Sequence, residues 1–359
     1  MKQRRGVFAL FVSIVLMSSI GLFAQNKDDK KRDDAQKKEI QNIVKLVDDA
    51  ATAGQAAAND LSLTWLREDV LKAQGNKEYV PFTVSVDPSK VTGDKIAFYW
   101  RVVAKGAAAP EPAAAPPAGK KDDKKDDKDK GKKTDYAYED IAFVPLTPGQ
   151  NPLRIARSFT VPAGTYDAFM VAKEPTPDKA PKNAPPPKMS LVKQTVTVPD
   201  FWNGDLATSS VIIAQRIDPL ASPLTPQQQA DRPYALGQME IIPTFDTKFT
   251  KKSELSTFML IYNPKVDANN KPDVTVEYNF YQKPAGQPEK FFNKTNPQNL
   301  NAQTLPPQFD LAAGHQLQSG QAVPLASFPE GDYRLEIKIT DKIANKTLTR
   351  EVNFTVTPS

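Results

Sequence analysis

The chain has 359 residues, with 47 Lys and Arg against 42 Asp and Glu, one histidine and no cysteine. Without a thiol there are no disulfides, thiolate metal sites, cysteine nucleophiles or lipid-modified cysteine, so the fold has to stand on its apolar core. The formal charge is +5, but losing Lys2, Arg4 and Arg5 with a leader leaves 44 basic and 42 acidic residues, or +2, a balance that points away from nucleic acid as a partner.

Lys2, Arg4 and Arg5 precede an apolar run from Val7 to Phe23, closed by Leu22-Phe23-Ala24 before Gln25. A basic start, an apolar middle and a small residue at the cut describe a secretory signal peptide over 1–24, cleaved after Ala24, and so a secreted or periplasmic protein. The competing reading is an uncleaved transmembrane anchor; Ser13, Ser18, Ser19 and Gly21 within the run argue against it. No later segment is apolar enough to span a bilayer, so no membrane span is expected after cleavage. An exported chain of this length without a disulfide has a bacterial character.

Residues 25–60 read as a charged leader followed by one amphipathic helix. Ile40, Ile43, Val44 and Val47 fall at i, i+3, i+4 and i+7, and Ala-rich sequence carries the helix to about Asn59. The apolar stripe has to find cover, either on the first sandwich or as part of a stalk; it is too short for the sustained heptads of a coiled coil.

A first β-sandwich is expected over 61–199. Its strand candidates are Tyr79 to Val86, Lys95 to Lys105, Tyr136 to Pro145, Leu153 to Val161, Tyr166 to Lys173 and Leu191 to Val198, alternating and rich in Val, Ile, Phe and Tyr. Two insertions interrupt it, at 106–134 and 175–188. The first joins an Ala-Pro stretch, Ala107 to Ala118, to Lys120–Lys133, where eight Lys alternate in blocks with five Asp. Such a polyampholyte reads as a solvated, disordered loop. A calcium loop on Asp122, Asp123, Asp126, Asp127 and Asp129 is disfavoured by the intervening lysines and the missing terminal Glu. The second insertion has six prolines and has to bulge from a hairpin tip, since proline has no amide for a ladder.

A second sandwich is expected over 200–359. Its candidates are Ser209 to Gln215, Gln238 to Pro243, Ser256 to Tyr262, Asp273 to Gln282, Gln308 to Leu311, Tyr333 to Thr340 and Thr347 to Thr357. The two halves repeat. Pro162-Ala163-Gly164-Thr165-Tyr166 answers Pro329-Glu330-Gly331-Asp332-Tyr333, each before an alternating strand, a loop and a closing strand. Upstream, Val84-Ser85-Val86-Asp87-Pro88 answers Leu260-Ile261-Tyr262-Asn263-Pro264. A Pro-x-Gly-x-Tyr turn suits the last hairpin of an Ig-like sandwich, where Gly takes an unusual backbone angle and Tyr anchors the corner.

On those residues, the stretch from Ser327 to Val356 resembles the terminal hairpin of bacterial secreted Ig-like or fibronectin-like modules, including acidobacterial exported proteins of unassigned role. Phe159 to Val198 resembles it more weakly. The resemblance implies two tandem antiparallel β-sandwiches, a mainly β fold, outside the cytoplasm. It implies no activity, because such modules serve adhesion, spacing, assembly and chaperoning alike.

Catalytic patterns are missing from the sequence. His315 is the only histidine and sits in the loop Ala312-Ala313-Gly314-His315-Gln316, so it reads as polar loop surface. There is no Gly-x-Ser-x-Gly elbow, phosphate-cradling Gly loop or His-Glu-x-x-His helix, and no catalytic, cofactor or metal residue is assigned. Partner contacts are the remaining candidates: Phe201 and Trp202 at the joint between the sandwiches, and the adjacent pair Phe291 and Phe292. Phe201 and Trp202 read first as a wedge fixing the interdomain angle; strand neighbours point to opposite faces, so one of Phe291 and Phe292 is expected to be exposed. Trp65 and Trp100 read as core. The expectation is a non-enzymatic envelope module that offers loops and edge strands to a protein or polysaccharide. The alternatives are a spacer without a site, and a carboxylate-dependent polysaccharide hydrolase, which needs only two acids at a set separation.

Overall fold

The computed structural model describes residues 39–49, 58–105, 136–176 and 185–358. The expected signal peptide at 1–24, the expected leader to residue 38, the insertion at 106–134 and residues 177–184 of the second insertion fall outside the described residues.

Alternating apolar side chains over stretches of eight to ten residues build sheets with one greasy face, and two such faces close into a sandwich. In the first sandwich, β1 (Thr64–Glu68), β2 (Leu71–Lys72), β3 (Glu78–Val86) and β6 (Leu153–Val161) form one sheet, with β1, β2 and β6 all antiparallel to β3. Facing it, β4 (Lys95–Ala104), β5 (Tyr138–Pro145), β7 (Gly164–Lys173) and β8 (Met189–Val198) run in the order β5-β4-β7-β8. The period of two is explicit: Ile96, Phe98, Trp100 and Val102 of β4 point into the core with Val80, Phe82, Val84 and Val86 of β3. Phe82 lies at its centre, its ring centroid 5.1 Å from that of Trp65 and 6.0 Å from that of Phe159.

The opposite face of β4 and β7 is covered by helix α1, residues 39–49, whose Ile43 and Val47 pack on Tyr99, Phe169, Val171 and Leu191. Ion pairs hold it at Glu39 and at Asp48. Lys173 pairs with Glu39, and Arg101, itself buried, reaches Asp48 at 2.6 Å and Tyr136 at 3.8 Å from the ring centroid. Residues 50–57, over which the helix was expected to continue, lie outside the described residues, and Asn59 at its expected end is not helical. Asn59 instead bridges Ser190 of β8 and accepts the Leu63 amide on its side chain, so Asn59 belongs to the sheet edge.

The second sandwich repeats seven strands of the first, all but β2. The triplet β10 (Ile212–Pro219), β14 (Glu254–Tyr262) and β18 (Leu317–Pro324) matches β1-β3-β6, and β16 (Lys290–Lys294), β15 (Val274–Lys283), β19 (Gly331–Asp341) and β20 (Lys346–Thr357) match β5-β4-β7-β8. Added to this frame are β9 (Ala207–Thr208), the capped six-residue helix α2 (Pro226–Asp231), β11 (Ala235–Leu236), β12 (Met239–Pro243), β13 (Lys248–Thr250) and β17 (Gln298–Leu300). The two corners are chemically identical. Tyr166 donates its hydroxyl to the Pro162 carbonyl and Tyr333 to that of Pro329, both at 2.8 Å. Gly331 has φ +137, a backbone angle that favours glycine.

Three departures from the sequence reading have local causes. Gln308 to Leu311, expected as a strand, is a turn, and the strand partner of β14 is β18 instead. Gly320 and the polar run around it hide β18 from a hydrophobic reading. That glycine is needed for approach: a Cβ there would lie 2.6 Å from the Thr257 carbonyl oxygen of β14. Gly320→Ala is therefore expected to push the two strands apart and cost about 1–3 kcal/mol, read as a lower urea midpoint at unchanged m-value. The short strands β1, β2, β9, β11, β13 and β17 carry too few residues to show a period. The third departure is Ser209 and Ser210, which precede β10 and bond through both amide and hydroxyl, Ser209 to Leu260 and Ser210 to Val70.

The sandwiches lie side by side, with the sheet of β14 against that of β3. Along β14, Leu255, Met259 and Ile261 enter the second core, while Phe258, Leu260 and Tyr262 join the cluster of the first. Across the junction, Tyr79 donates to the Pro233 carbonyl at 2.9 Å and Arg67 to that of Thr244 at 2.9 Å. The most buried link is Asp69, which accepts two bonds from Arg67 at 2.7 and 2.8 Å and the Tyr234 hydroxyl at 2.8 Å.

Candidate binding cleft between the sandwiches

The β2–β3 hairpin, the linker 199–205 and the loops after β14 and before β18 meet at one end of the junction. The hairpin turns at Gly75 (φ +70) and Asn76 (φ +54), with the Ala73 amide donating to the Lys77 carbonyl at 2.9 Å. It sets Lys72 directly opposite Glu78. The outer edge of β2 is closed by the second sandwich: Lys72 N donates to the Tyr262 hydroxyl at 3.0 Å, and Val70 N to Ser210 Oγ at 2.8 Å.

The linker is shaped by its own polar side chains. Asp200 accepts the Trp202 amide at 2.7 Å and Asn203 that of Asp205 at 2.9 Å, two Asx turns that place Phe201 and Trp202 on opposite sides. Phe201 is buried against Tyr262, with centroids 4.9 Å apart, and its amide donates to Glu78 Oε1 at 2.9 Å. Trp202 stays 40% exposed, its indole N–H bonded to the Lys77 carbonyl at 3.1 Å. Of the two residues paired in the sequence as a wedge, only Phe201 fills the joint; Trp202 faces the cleft.

Asn263 ties these parts together. At φ +55 it donates its side-chain amide to the carbonyls of Phe201 and Asp205, both at 2.9 Å, and accepts Lys72 Nζ on Oδ1 at 3.0 Å. The Lys72 ammonium also sits 4.1 Å from the Trp202 ring centroid, a cation-π contact. Burial lowers the pKa of Lys72 from its ordinary value, against the nearby charges of Glu78 and Asp200. The far wall is the loop after Phe309, where His315 Nδ1 accepts the Asp310 amide at 2.9 Å and Asp310 accepts that of Ala312 at 2.8 Å. The histidine thus shapes a loop that lines the cleft.

These walls enclose about 660 Å³, with Leu71, Leu260, Leu311 and Val266 among the apolar lining and Gln316 and Asn270 among the polar. That volume lies within the range of small-ligand sites. Nothing in the sequence marked Lys72 or Gln316; the repeated Asn-Pro turn marked Asn263 as a turn residue and not as part of a cleft. Among the described residues, no group of three or more His, Asp or Glu side chains is placed to hold a metal ion, and no helix is long and apolar enough to cross a membrane.

Glu78 is buried beneath the linker, and its Oε2 has no hydrogen-bond partner among the described residues. Burial raises its pKa, outweighing the Phe201 amide that lowers it. A carboxyl raised in the folded state contributes stability that is full below its unfolded value, near 4.3, and is lost as pH rises through the folded one. Glu78→Gln keeps the acceptor for Phe201 and removes the charge. It is expected to raise stability by about 1 kcal/mol at pH near 7 and to give no gain near pH 4, measured by thermal melts at both values.

Phe291 and Phe292 lie elsewhere, on the edge strand β16, which pairs only with β15. Phe291 is 55% exposed, its ring against Tyr281 at 5.8 Å, while Phe292 packs on Phe328 at 4.9 Å.

No protein-family model matches the chain, and no curated protein matches it. Among solved structures, trypsin-activated alpha-2-macroglobulin from Escherichia coli is similar at 12% identity, over 85% of this chain and 17% of that one, with a TM-score of 0.21. The native conformation of the E. coli protein is similar at 12% identity, over 84% of this chain and 16% of that one, with a TM-score of 0.20. The chain therefore spans under a fifth of the length of these structures, and a likeness at such TM-scores carries no weight for fold or function.

Proposed function

We propose that this chain is an exported, non-catalytic binding protein of the cell envelope, which takes a protein or polysaccharide partner in the cleft between its sandwiches. The cleft carries the reading: about 660 Å³, built from both sandwiches, with an apolar floor and Trp202 exposed at its rim. The leader with Lys2, Arg4, Arg5 and Ala24 supports export. Asp310 is the only carboxylate among the described lining residues. Glycoside hydrolysis by paired acids needs two, about 5 to 9 Å apart, so the lining favours binding over bond cleavage. A spacer would have no use for such a cavity.

One observation favours a second contact, strand addition at β16, where an edge strand carries the exposed Phe291 between Lys290 and Lys294. A photo-crosslinking phenylalanine analogue placed at Gln74, in the cleft, or at Lys290, on the edge, separates the two in the native envelope. A single stoichiometric adduct at Gln74, lost on Trp202→Ala, is the expected result; adducts at Lys290 alone would move the site to the edge, and none at either would leave a spacer.

A further inference from the structure

The cleft offers a ligand little charge. Lys72, the cation of its wall, lies opposite Glu78 with Asp200 also near, and its ammonium is taken up by Asn263 and the Trp202 ring. The one carboxylate among the described lining residues, Asp310, accepts the Ala312 amide, and His315 Nδ1 accepts that of Asp310. The hydroxyls of Tyr79 and Tyr262 are bonded across the junction. What is left to face a ligand is an indole and two side-chain amides.

Trp202 is fixed before anything binds. The Asx turn at Asp200 sets its backbone, its N–H donates to the Lys77 carbonyl, and the Lys72 ammonium lies over the ring. A ligand meets the rest of the indole, the most exposed aromatic surface of the lining. Gln316 directly precedes Leu317, which enters the second core, so the alternation of β18 turns Gln316 the other way, to the cleft. Asn270, at φ +59, closes the turn that begins at Asp267, its backbone amide bonded to that residue's carbonyl at 3.0 Å. The side chains of Gln316 and Asn270 make no hydrogen bond among the described residues.

An aromatic face beside uncharged amides suits a sugar. A pyranose lays a flat face of C–H bonds on the negative face of a ring, and its hydroxyls both donate and accept, as the two ends of a Gln or Asn amide do. An extended peptide is served less well, because strand addition needs free main-chain groups. The edge at this cleft, β2, is closed: Val70 and Lys72 give their amides to Ser210 and Tyr262 of the second sandwich. The volume of about 660 Å³ falls in the class that encloses a drug-sized ligand, and a disaccharide is of that size.

We propose that the cleft binds a short stretch of uncharged glycan, with one pyranose on Trp202 and the hydroxyls of its neighbour bonded by Gln316 and Asn270. This rests on the cleft being a binding site and commits that site to a saccharide rather than a protein.

The test titrates the mature chain with cellobiose, chitobiose and mannobiose, each to about 10 mM, and with digalacturonate as a charged counterpart, at affinities readable in that range. At least one neutral disaccharide should move the Trp202 indole resonance, assigned with Trp202→Phe, and leave those of Trp65 and Trp100 in place. By calorimetry, its affinity should fall about tenfold on Trp202→Ala and about fivefold on Gln316→Ala, a side chain with no bond to lose in the free protein. An unmoved Trp202 resonance with all three overturns the proposal, as does tighter binding of digalacturonate than of any neutral sugar, or an affinity that both variants leave unchanged. In each of those cases a stoichiometric protein adduct at Gln74 that still depends on Trp202 keeps the cleft as a binding site and removes only the saccharide; loss of the adduct as well removes both.

Discussion

Replacing Asp69 with alanine is expected to lower the stability of the folded chain by about 3–5 kcal/mol and to split its melting into two transitions. Asp69 is 2% exposed and sits between the sandwiches, holding Arg67 through two bonds and Tyr234 through one. Arg67 in turn reaches the Thr244 carbonyl, so one carboxylate joins β1 to residues on both sides of β12. Removing it strands a guanidinium in a poorly solvated junction, where an unpaired charge costs far more than the pair was worth. It also leaves the Tyr234 hydroxyl without its acceptor; burial first, and the Asp69 charge second, hold that phenol's pKa well above the usual value. Tyr234→Phe deletes only the phenol's bond to the Asp69 carboxylate and should cost about 1.5–3 kcal/mol. Differential scanning calorimetry reads both variants. A single transition at the parent temperature for Asp69→Ala would mean that apolar contact alone joins the sandwiches.

The second large effect is expected from Phe328→Ala, at about 3–5 kcal/mol. Phe328 is buried where the aromatic cluster of the second sandwich converges, its ring centroid 5.2 Å from that of Phe280, 4.9 Å from Phe292, 5.3 Å from Tyr333 and 6.2 Å from Phe354. Truncation opens a cavity under the corner and withdraws four edge or tilted ring contacts together. The matching position of the first repeat is Val161, and there the aromatic cluster is built instead around Phe82, so Val161→Ala should cost less. Equal losses in denaturant titrations of the two variants would show that the repeats share their packing as well as their strand order.

Those two sites also show where a sequence stops being readable. The Pro-x-Gly-x-Tyr pair could be recognised because a corner is local: glycine takes the angle, and the tyrosine reaches a carbonyl four residues back, so neighbours in sequence hold all the physics. The long alternating strands were readable for the same reason, since a pleat is a period of two within one segment. Asp69, Lys72 and Asn263 were not. Their partners across the junction lie 130 residues or more away, in Tyr234, Trp202 and Tyr262 for the hairpin and, for Asn263, in Lys72, and nothing near them in sequence shows the pairing. β18 was missed because Gly320 serves the closeness of β14 rather than any pattern of its own strand.

By itself the sequence determined the mainly β class and the duplicated corner, and it named Phe201 as a residue of the joint, all consequences of short-range backbone geometry and alternation. Tertiary structure decided that β14 is buried on both faces, that Trp202 turns outward while Phe201 turns in, and that a cleft opens between the repeats. Burial on a second face and a cavity between two bodies depend on how whole sheets meet. That meeting is set by summed packing and a few desolvated bonds across the junction, which no local stretch of chain encodes.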